Sequence, residues 1–282
     1  MYKDFSNWEL YEGFSCGSGT STQEWIITKN GEIALFKNRK SDDTTDNFSE
    51  KIASEIAEII ELPCARIDLA KRNGKIGMVS YKINSQSQIL VEGIQYISNA
   101  YSEYNRDTLI DEKTQDHYSL EIILNSIKGL NLEKDLFKIF IFDFLIGNGD
   151  RHHSNWALLK ESEQTKICPV YDNSSSLCFN VNDEKINLKD KNWLKAQVDT
   201  KSKSLIYLQG KKVTHSKFIS YLKDNYYSET IDFVNSINQK FTYDVIEKLI
   251  NRYDNLLSNK KIILLKEYLK MKVELLKKIY EI

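Results

Sequence analysis

Proline, cysteine and long hydrophobic runs are all scarce in this chain of 282 residues, and so is any excess of one charge. No stretch reaches the roughly 18 apolar residues that a membrane-spanning helix needs, so nothing in it is expected to cross a bilayer. The opening segment, Met1-Tyr-Lys-Asp-Phe-Ser-Asn-Trp8, lacks the apolar region of a signal peptide. A cytoplasmic setting is therefore expected, with export only by a route that needs no such peptide. The four cysteines (Cys16, Cys64, Cys168 and Cys178) show no C-x-x-C spacing, and free intracellular thiols are the economical reading. A zinc site built from His152, His153, Cys168 and Cys178 would match no common zinc motif. Lysine plus arginine number 39 against 40 acidic residues, a net charge of −1. That balance argues against a dedicated nucleic-acid binder, whose phosphate contacts require a basic surplus. The two prolines inform only by position: Pro63 stops a helix and Pro169 opens a motif. No internal repeat or low-complexity tract is present. What remains, 41% hydrophobic residues, suffices for a substantial core, as one bilobal domain or two small ones.

The informative stretch is Ile146-Gly-Asn-Gly-Asp150-Arg-His-His-Ser-Asn155-Trp156, followed by Pro169-Val-Tyr-Asp172. An aspartate, an asparagine five residues later and a second aspartate seventeen residues beyond that flank one strand-like run, Trp156–Leu159. Phosphoryl transfer to a hydroxyl needs such a set. One carboxylate accepts the substrate proton, while an amide oxygen and a second carboxylate hold the Mg2+ that bridges the phosphates of ATP. The spacing is that of a kinase catalytic loop, D-x-x-x-x-N, with its metal-binding aspartate one hairpin later. On this reading Asp150 is the base, Asn155 and Asp172 bind metal and nucleotide, and Arg151 reaches the substrate or the γ-phosphate.

The N-terminal third follows a matching order. Gly17, Ser18, Gly19, Thr20 and Ser21 lie in a small-residue loop that would cover the nucleotide, ahead of a strand at Glu24–Thr28. Asn30-Gly31 marks a hairpin, and Glu32–Lys37 is the returning strand. Lys37 follows Ala-Leu-Phe as a kinase's phosphate-binding lysine follows three apolar residues, and is favoured over Arg39 and Lys40, which precede a polar loop. A helix is expected from Asn47 to Glu61, with Phe48, Ile52, Ile56, Ile59 and Ile60 at helical spacing. Two strands, Ala65–Ala70 and Lys75–Tyr81, pair around Asn73-Gly74. Ser80 and Tyr81 then fall where a kinase hinge would meet adenine, an inference from order alone.

Beyond residue 84 the pattern is helical. Residues 85–132 read as short helices in polar and aromatic surroundings, and Leu132–Ile146 as a buried helix, apolar on nearly every face. Thr200–Leu222 reads as polar helix–loop material, the chain from Ile231 as helical, and Lys260–Ile282 as an amphipathic terminal helix. The fold class expected is α+β and protein-kinase-like: a strand-rich N-lobe over residues 1–84 and a larger, mostly helical C-lobe over 85–282.

The loop resembles that of the HipA-type serine/threonine kinases of bacterial toxin–antitoxin systems, especially their compact HipT- and CtkA-type members. Their loop runs roughly N-x-D-x-H-x-x-N, positions filled here by Asn148, Asp150, His152 and Asn155. The preceding Phe137–Ile146 helix and Pro169-Val-Tyr-Asp172 are similar too, although Ser154 stands where family toxins often have lysine. The resemblance implies that Glu50 orients Lys37, with Glu55 as the competitor, and that His152 supports the loop. It implies a protein substrate of the aminoacyl-tRNA-synthetase or translation-factor kind, an antitoxin partner, and contact with nucleic acid only through that partner. It also implies self-phosphorylation within Ser15, Ser18, Thr20, Ser21 or Thr22. Two alternatives stay open: a lipid or small-molecule kinase, because the loop also resembles that of phosphoinositide kinases, and an inactive kinase fold acting as a binding module.

Overall fold

A computed structural model describes residues 2–13 and 23–282. Strands β1 (Lys3–Asp4), β2 (Glu9–Leu10), β3 (Gln23–Ile27) and β4 (Ile33–Asn38) lead into helix α1 (Asp46–Ile59), and β5 (Ile67–Arg72) and β6 (Lys75–Tyr81) follow. These six strands form one sheet in the order β1-β5-β6-β4-β3-β2, with only β1 parallel to its neighbour. The β3–β4 loop is one residue longer than a two-residue hairpin turn. The Gly31 N–H donates to the Thr28 carbonyl and Gly31 takes a positive φ of 82°, the three-residue pattern of a turn closed by a left-handed glycine. The β5–β6 turn does use two left-handed residues, Asn73 and Gly74.

Alternation sorts the sheet's two faces. Ala34, Phe36 and Val79 pack with Phe5, Ile26 and Ala70 in a small outer core. Lys37 and Met78, paired in register, point the other way, toward the rest of the molecule. Helix α1 packs beside the sheet, burying Phe48, Ile52, Ala53 and Ile56 in the main core.

The remainder begins with β7 (Ile89–Glu92), α2 (Gly93–Ala100), the two-residue strands β8 (Tyr104–Asn105), β9 (Ile110–Asp111) and β10 (Asp116–His117), and α3 (Leu120–Ser126). Then come α4 (Glu133–Ile146), the hairpin β11 (Ala157–Glu161) and β12 (Gln164–Ile167), and α5 (Lys191–Val198). Residues 200–222 are not simple helix–loop material as expected. They build a second hairpin, β13 (Lys203–Leu208) and β14 (Lys211–Thr214), before α6 (His215–Asn225). The alternation of β13, exposed Lys203 then buried Ser204, Ile206 and Leu208, is masked in sequence because serine fills an inward position. Helices α7 (Tyr227–Lys240), α8 (Tyr243–Asn251) and α9 (Asn259–Tyr280) close the chain.

Helix α4 is the axis of this half: Leu136, Phe137 and every residue from Ile139 to Ile146 are buried. Each fully buried Phe, Leu or Ile contributes about 1.5–3 kcal/mol of transfer free energy, so the helix is a rigid support. It stops at Gly147, whose φ of 69° is left-handed. The Asn148 N–H turns back to the Asp143 carbonyl at 2.9 Å, a helix end that glycine favours because it carries no Cβ. Among the described residues no helix is long and apolar enough to cross a membrane.

Candidate active site

Where α4 ends, the chain enters the loop Asn148–Asn155, and its own hydrogen bonds freeze the loop's shape. The Asn148 side-chain oxygen accepts from the Asp150 N–H at 3.1 Å, and the Asp150 carbonyl accepts from His152 N at 2.8 Å and from the Asn155 amide at 2.7 Å. The His152 Nδ1 accepts from Ser154 N at 3.2 Å. The motif around Pro169 is held equally firmly. Val170 bridges the Pro63–Ala65 backbone, donating to Pro63 O and accepting from Ala65 N, each at 2.8 Å. That places Asp172 beneath the sheet, with a left-handed φ of 54°. A non-glycine residue there costs of order 1 kcal/mol, strain of the kind that gathers at functional sites.

The result is a cavity of about 150 Å³ between the sheet and the loop, lined by Lys37, Asn38, Asp150, His152, Asp172 and Met78 among others. Residues far apart in sequence thus share one space. The Lys37 ammonium lies 3.2 Å from the Asp172 carboxylate. Asp150 is partly exposed to the cavity and accepts a long 3.5 Å hydrogen bond from the Ser175 hydroxyl. Asn155 is buried directly behind Asp150.

Glu50 sits below these groups, fully buried, one oxygen accepting from the Asn173 amide at 3.4 Å and the other without a partner. Lys37 makes its ion pair with Asp172 rather than with Glu50. Electrostatics explain the division. Burial and the neighbouring Asp172 push the Glu50 carboxyl up to about 7, with Lys37 only partly opposing them. Burial also raises Asp172, but the Lys37 ammonium, with smaller help from Arg151 and His152, reverses it and holds this carboxyl below its ordinary value. The competitor Glu55 faces elsewhere, bonding Arg252 at 3.0 Å and the Tyr253 hydroxyl at 2.7 Å.

Three expected residues lie differently. Arg151 does not reach the cavity: it is 2% exposed. Its guanidinium donates to both Asp143 oxygens (2.9 and 2.7 Å), the Asn155 and Tyr171 carbonyls (2.6 and 2.7 Å) and the Asn173 side chain (2.7 Å). All its donor capacity on that fork is spent on tying α4, the loop and the Asp172 segment together, so none remains for a phosphate. The Tyr81 ring lies on the outer face of the sheet with Phe5 and Trp8, its hydroxyl on Asp68, and its N–H is used by Arg66 O. Ser80, two residues from Met78, shares the inner side but does not line the cavity. Gly17, Ser18, Gly19, Thr20 and Ser21 lie outside the described residues; Gln23, just after them, lines the cavity.

Sequence reading missed Asp143 as Arg151's partner. The signal was present, since a lone acid near the end of an otherwise apolar run must find a cation or protonate. It also missed a buried chain of hydrogen bonds behind the loop. The Lys272 ammonium, wholly buried, donates to the Ser202 hydroxyl at 2.8 Å. Ser202 lies 3.0 Å from His215 Nδ1, and His215 Nε2 lies 2.9 Å from the Asn148 carbonyl. Burial and the Lys272 charge lower His215 to about 3, so the ring is neutral and its Nε2–H donates to Asn148. Two α9 residues thus reach the loop: Lys272 through this chain, and Tyr268 through its hydroxyl, which lies over Gly147.

As a donor set for a divalent cation, the site offers one ionised carboxylate (Asp172) and one amide (Asn155). The Asn155 side-chain Nδ2–H donates to the Asp150 carbonyl, leaving the side-chain oxygen as its ligand end. Among the described residues no three His, Cys, Asp or Glu side chains converge. Hard oxygens in small number, completed by water and phosphate, suit Mg2+.

A family model described as the HipA-like C-terminal domain matches residues 10–241. The serine/threonine-protein kinase CtkA of Helicobacter pylori is 25% identical over 223 residues, covering 75% of this chain and 61% of that protein. The chain therefore spans about three fifths of that relative's length. The crystal structure of a Helicobacter pylori proinflammatory kinase CtkA superposes with a TM-score of 0.83 at 18% identity, covering 100% of this chain and 99% of that one. HipA from Shewanella oneidensis, solved with HipB and operator DNA, matches with a TM-score of 0.61 at 12% identity, over 96% of this chain and 68% of that one. Both have the fold described above.

Proposed function

Because the chain belongs to the HipA-like C-terminal domain family, we propose that it is a kinase that transfers the γ-phosphate of ATP to a serine or threonine hydroxyl of a protein. The observation that carries this reading is the convergence of Lys37, Asp150 and Asp172 on one cavity from three separate segments. Residues 1–84 act as the lobe that covers the nucleotide and 85–282 as the lobe that carries the loop.

Asn155 and Asp172 would hold Mg2+, which when bound neutralises charge on the β- and γ-phosphates. Lys37, paired here with Asp172, would turn to the phosphates, with Glu50 behind it as the orienting acid. Asp150 accepts the proton of the incoming hydroxyl, or orients it, from a partly exposed carboxylate that the loop's hydrogen bonds hold in place. His152 braces the turn through its Nδ1. The apolar base of the nucleotide fits against Met78, Ile83 and Tyr171, which link the inner face of the sheet to the β11–β12 hairpin. The loop at Gly17–Ser21 covers the phosphates and contains hydroxyls for self-phosphorylation. By family resemblance the protein substrate is a translation enzyme such as an aminoacyl-tRNA synthetase, and a HipB-like protein is the regulatory partner.

Asp150→Asn and Asp172→Asn test the assignment, and asparagine tolerates the left-handed backbone at 172. Each is expected to lower transfer of radiolabel from ATP to protein by at least ~10²-fold, as loss of a transition-state stabiliser does, with thermal unfolding little changed. Full transfer in either folded variant, or label appearing in extracted lipid instead of protein, would overturn the reading.

A further inference from the structure

The 17 residues from Lys201 to Lys217 contain five lysines (201, 203, 211, 212 and 217) and no aspartate or glutamate, although the whole chain carries 40 acids. All five lysines are exposed. Three of the seven lysines of α9, Lys266, Lys270 and Lys277, pair with glutamates, and Lys261 and Lys272 are buried on oxygen acceptors. Among the described residues, none of the five makes an ion pair. Two carboxylates touch this unit, Asp199 accepting from the Ser216 hydroxyl and Glu121 from the Gln209 N–H, which leaves five lysines against two acids. A face left with positive charge, in a chain whose net charge is −1, asks for an acidic counterpart.

Its position gives that charge a role. The β13–β14 hairpin is rooted on the catalytic loop at two points. His215, at its end, donates to the Asn148 carbonyl, and a Cβ on Gly149 would lie 3.1 Å from the Lys203 carbonyl. Lys203 is therefore packed against the residue before Asp150. The far end is braced too, since Tyr207 N–H bonds Tyr118 O and its ring stacks on His117 at 4.3 Å. Tyr207 pairs with Lys212 across the hairpin, so Lys203 and Lys212 mark the near and far parts of one braced unit. Lys203 pairs with Thr214, only two residues from Lys212, while four residues of β13 run from Lys203 to Tyr207, so β13 bulges between them and the two lysines stand about 7 Å apart along the hairpin at roughly 3.3 Å per residue.

We infer that this hairpin is the docking surface for an acidic segment of the protein that is phosphorylated, with carboxylates within about four residues of the accepting hydroxyl. The inference rests on the kinase reading above and adds the substrate's chemistry to it. Exposed pairs are individually weak and screened by salt, so the surface selects by KM and leaves the chemical step alone. A peptide rather than a nucleic acid is the fitting occupant, because the basic face is one short hairpin beside a hydroxyl-accepting loop.

The test uses the full chain, with and without Lys203→Glu/Lys212→Glu, two exposed positions outside the catalytic set. Binding of a fluorescein-labelled peptide with four glutamates and alanine at the acceptor position is read by anisotropy, which needs no turnover. Phosphate transfer is then measured to serine peptides that are acidic, neutral or basic at the second to fourth positions from the serine. Expected are a KM about tenfold lower for the acidic than for the neutral peptide, loss of that preference in the double variant or at high salt, and unchanged kcat and KM for ATP. Lysine-dependent binding of the acidic probe without any transfer would sink the kinase reading and leave the docking surface standing. Transfer to protein with equal KM for all three peptides, or a double variant that keeps the preference, would overturn the docking surface. So would tighter binding of single-stranded oligonucleotide than of the acidic probe.

Discussion

Replacing Arg151 with methionine removes five hydrogen bonds at once and leaves Asp143, 3% exposed, with the Asn148 amide at 3.2 Å as its remaining partner. Removing one member of a buried ion pair costs about 3–5 kcal/mol. Each carbonyl orphaned at Asn155 and Tyr171 adds about 1–3 kcal/mol unless water reaches it. Against these, burial already raises the Asp143 carboxyl despite Arg151, so in the variant it takes up a proton and escapes part of the charge penalty. A net loss of about 4–6 kcal/mol is a large share of the roughly 5–15 kcal/mol that holds a protein folded. At about 2–4 °C per kcal/mol for chains approaching this size, Tm should fall by roughly 10–20 °C.

The pH dependence carries a sign. A carboxyl whose folded pKa lies above its unfolded one loses stability as pH rises between the two, because the unfolded state releases its proton first. The variant should therefore be weaker at pH 8 than at pH 5. Circular dichroism melts at both pH values, with KM for ATP measured at a temperature where the variant is folded, decide the matter. If Arg151 touches phosphate, Tm will move by less than about 2 °C while KM for ATP climbs, and the account of a structural hub fails. Asp143→Leu combined with Arg151→Met should recover part of the loss, since the stranded charge is gone, but not the part due to the orphaned carbonyls.

Three further perturbations follow from the same geometry. Wild-type stability should fall as pH rises from the ordinary carboxyl range to about 7, the folded value for Glu50; Glu50→Gln should flatten that slope in urea titrations, and identical slopes would contradict its buried, protonated state. Lys272 is lowered by burial to about 7, so stability should rise as pH climbs from 7 toward the unfolded lysine's value. Lys272→Met should abolish this gain and reduce kcat several-fold at constant KM for ATP, whereas an unaltered kcat would remove the buried chain from loop positioning. Gly147→Ala places a Cβ 2.0 Å from the Tyr268 hydroxyl at a φ of 69°. It should cost about 2–4 kcal/mol in chemical denaturation, partly relieved by Tyr268→Phe, and a cost below ~0.5 kcal/mol would show that the turn relaxes freely.

Strand β6 was legible to the residue, and α1, α4 and α9 to within one or two positions, because each repeats its apolar residues at one period over several turns or pleats. The two-residue strands were not legible, nor was the β13–β14 hairpin, whose lysines and serines read as surface loop. The short strands are too brief to show a period, and in β13 a serine at an inward position hides the alternation, although Gln209-Gly210 makes a two-residue left-handed turn. The loop residues Asp150 and Asn155 and the later Asp172 could be read in sequence because turns and helix ends fix their spacing. The same string misled at Arg151, where charge suggested a ligand and packing made it a buried tie.

Order along the chain therefore dictated most of the long elements and pointed to the members of the candidate site: two carboxylates, an amide and a lysine. Distance and burial assigned their relations. Lys37 bonds Asp172 instead of Glu50, Arg151 turns inward, and a helix some 120 residues downstream reaches the loop through Lys272. Spacing and periodicity act over a few residues, whereas the free energy of a charge depends on the solvent and the opposite charges around it once the chain has folded. No local pattern encodes that environment.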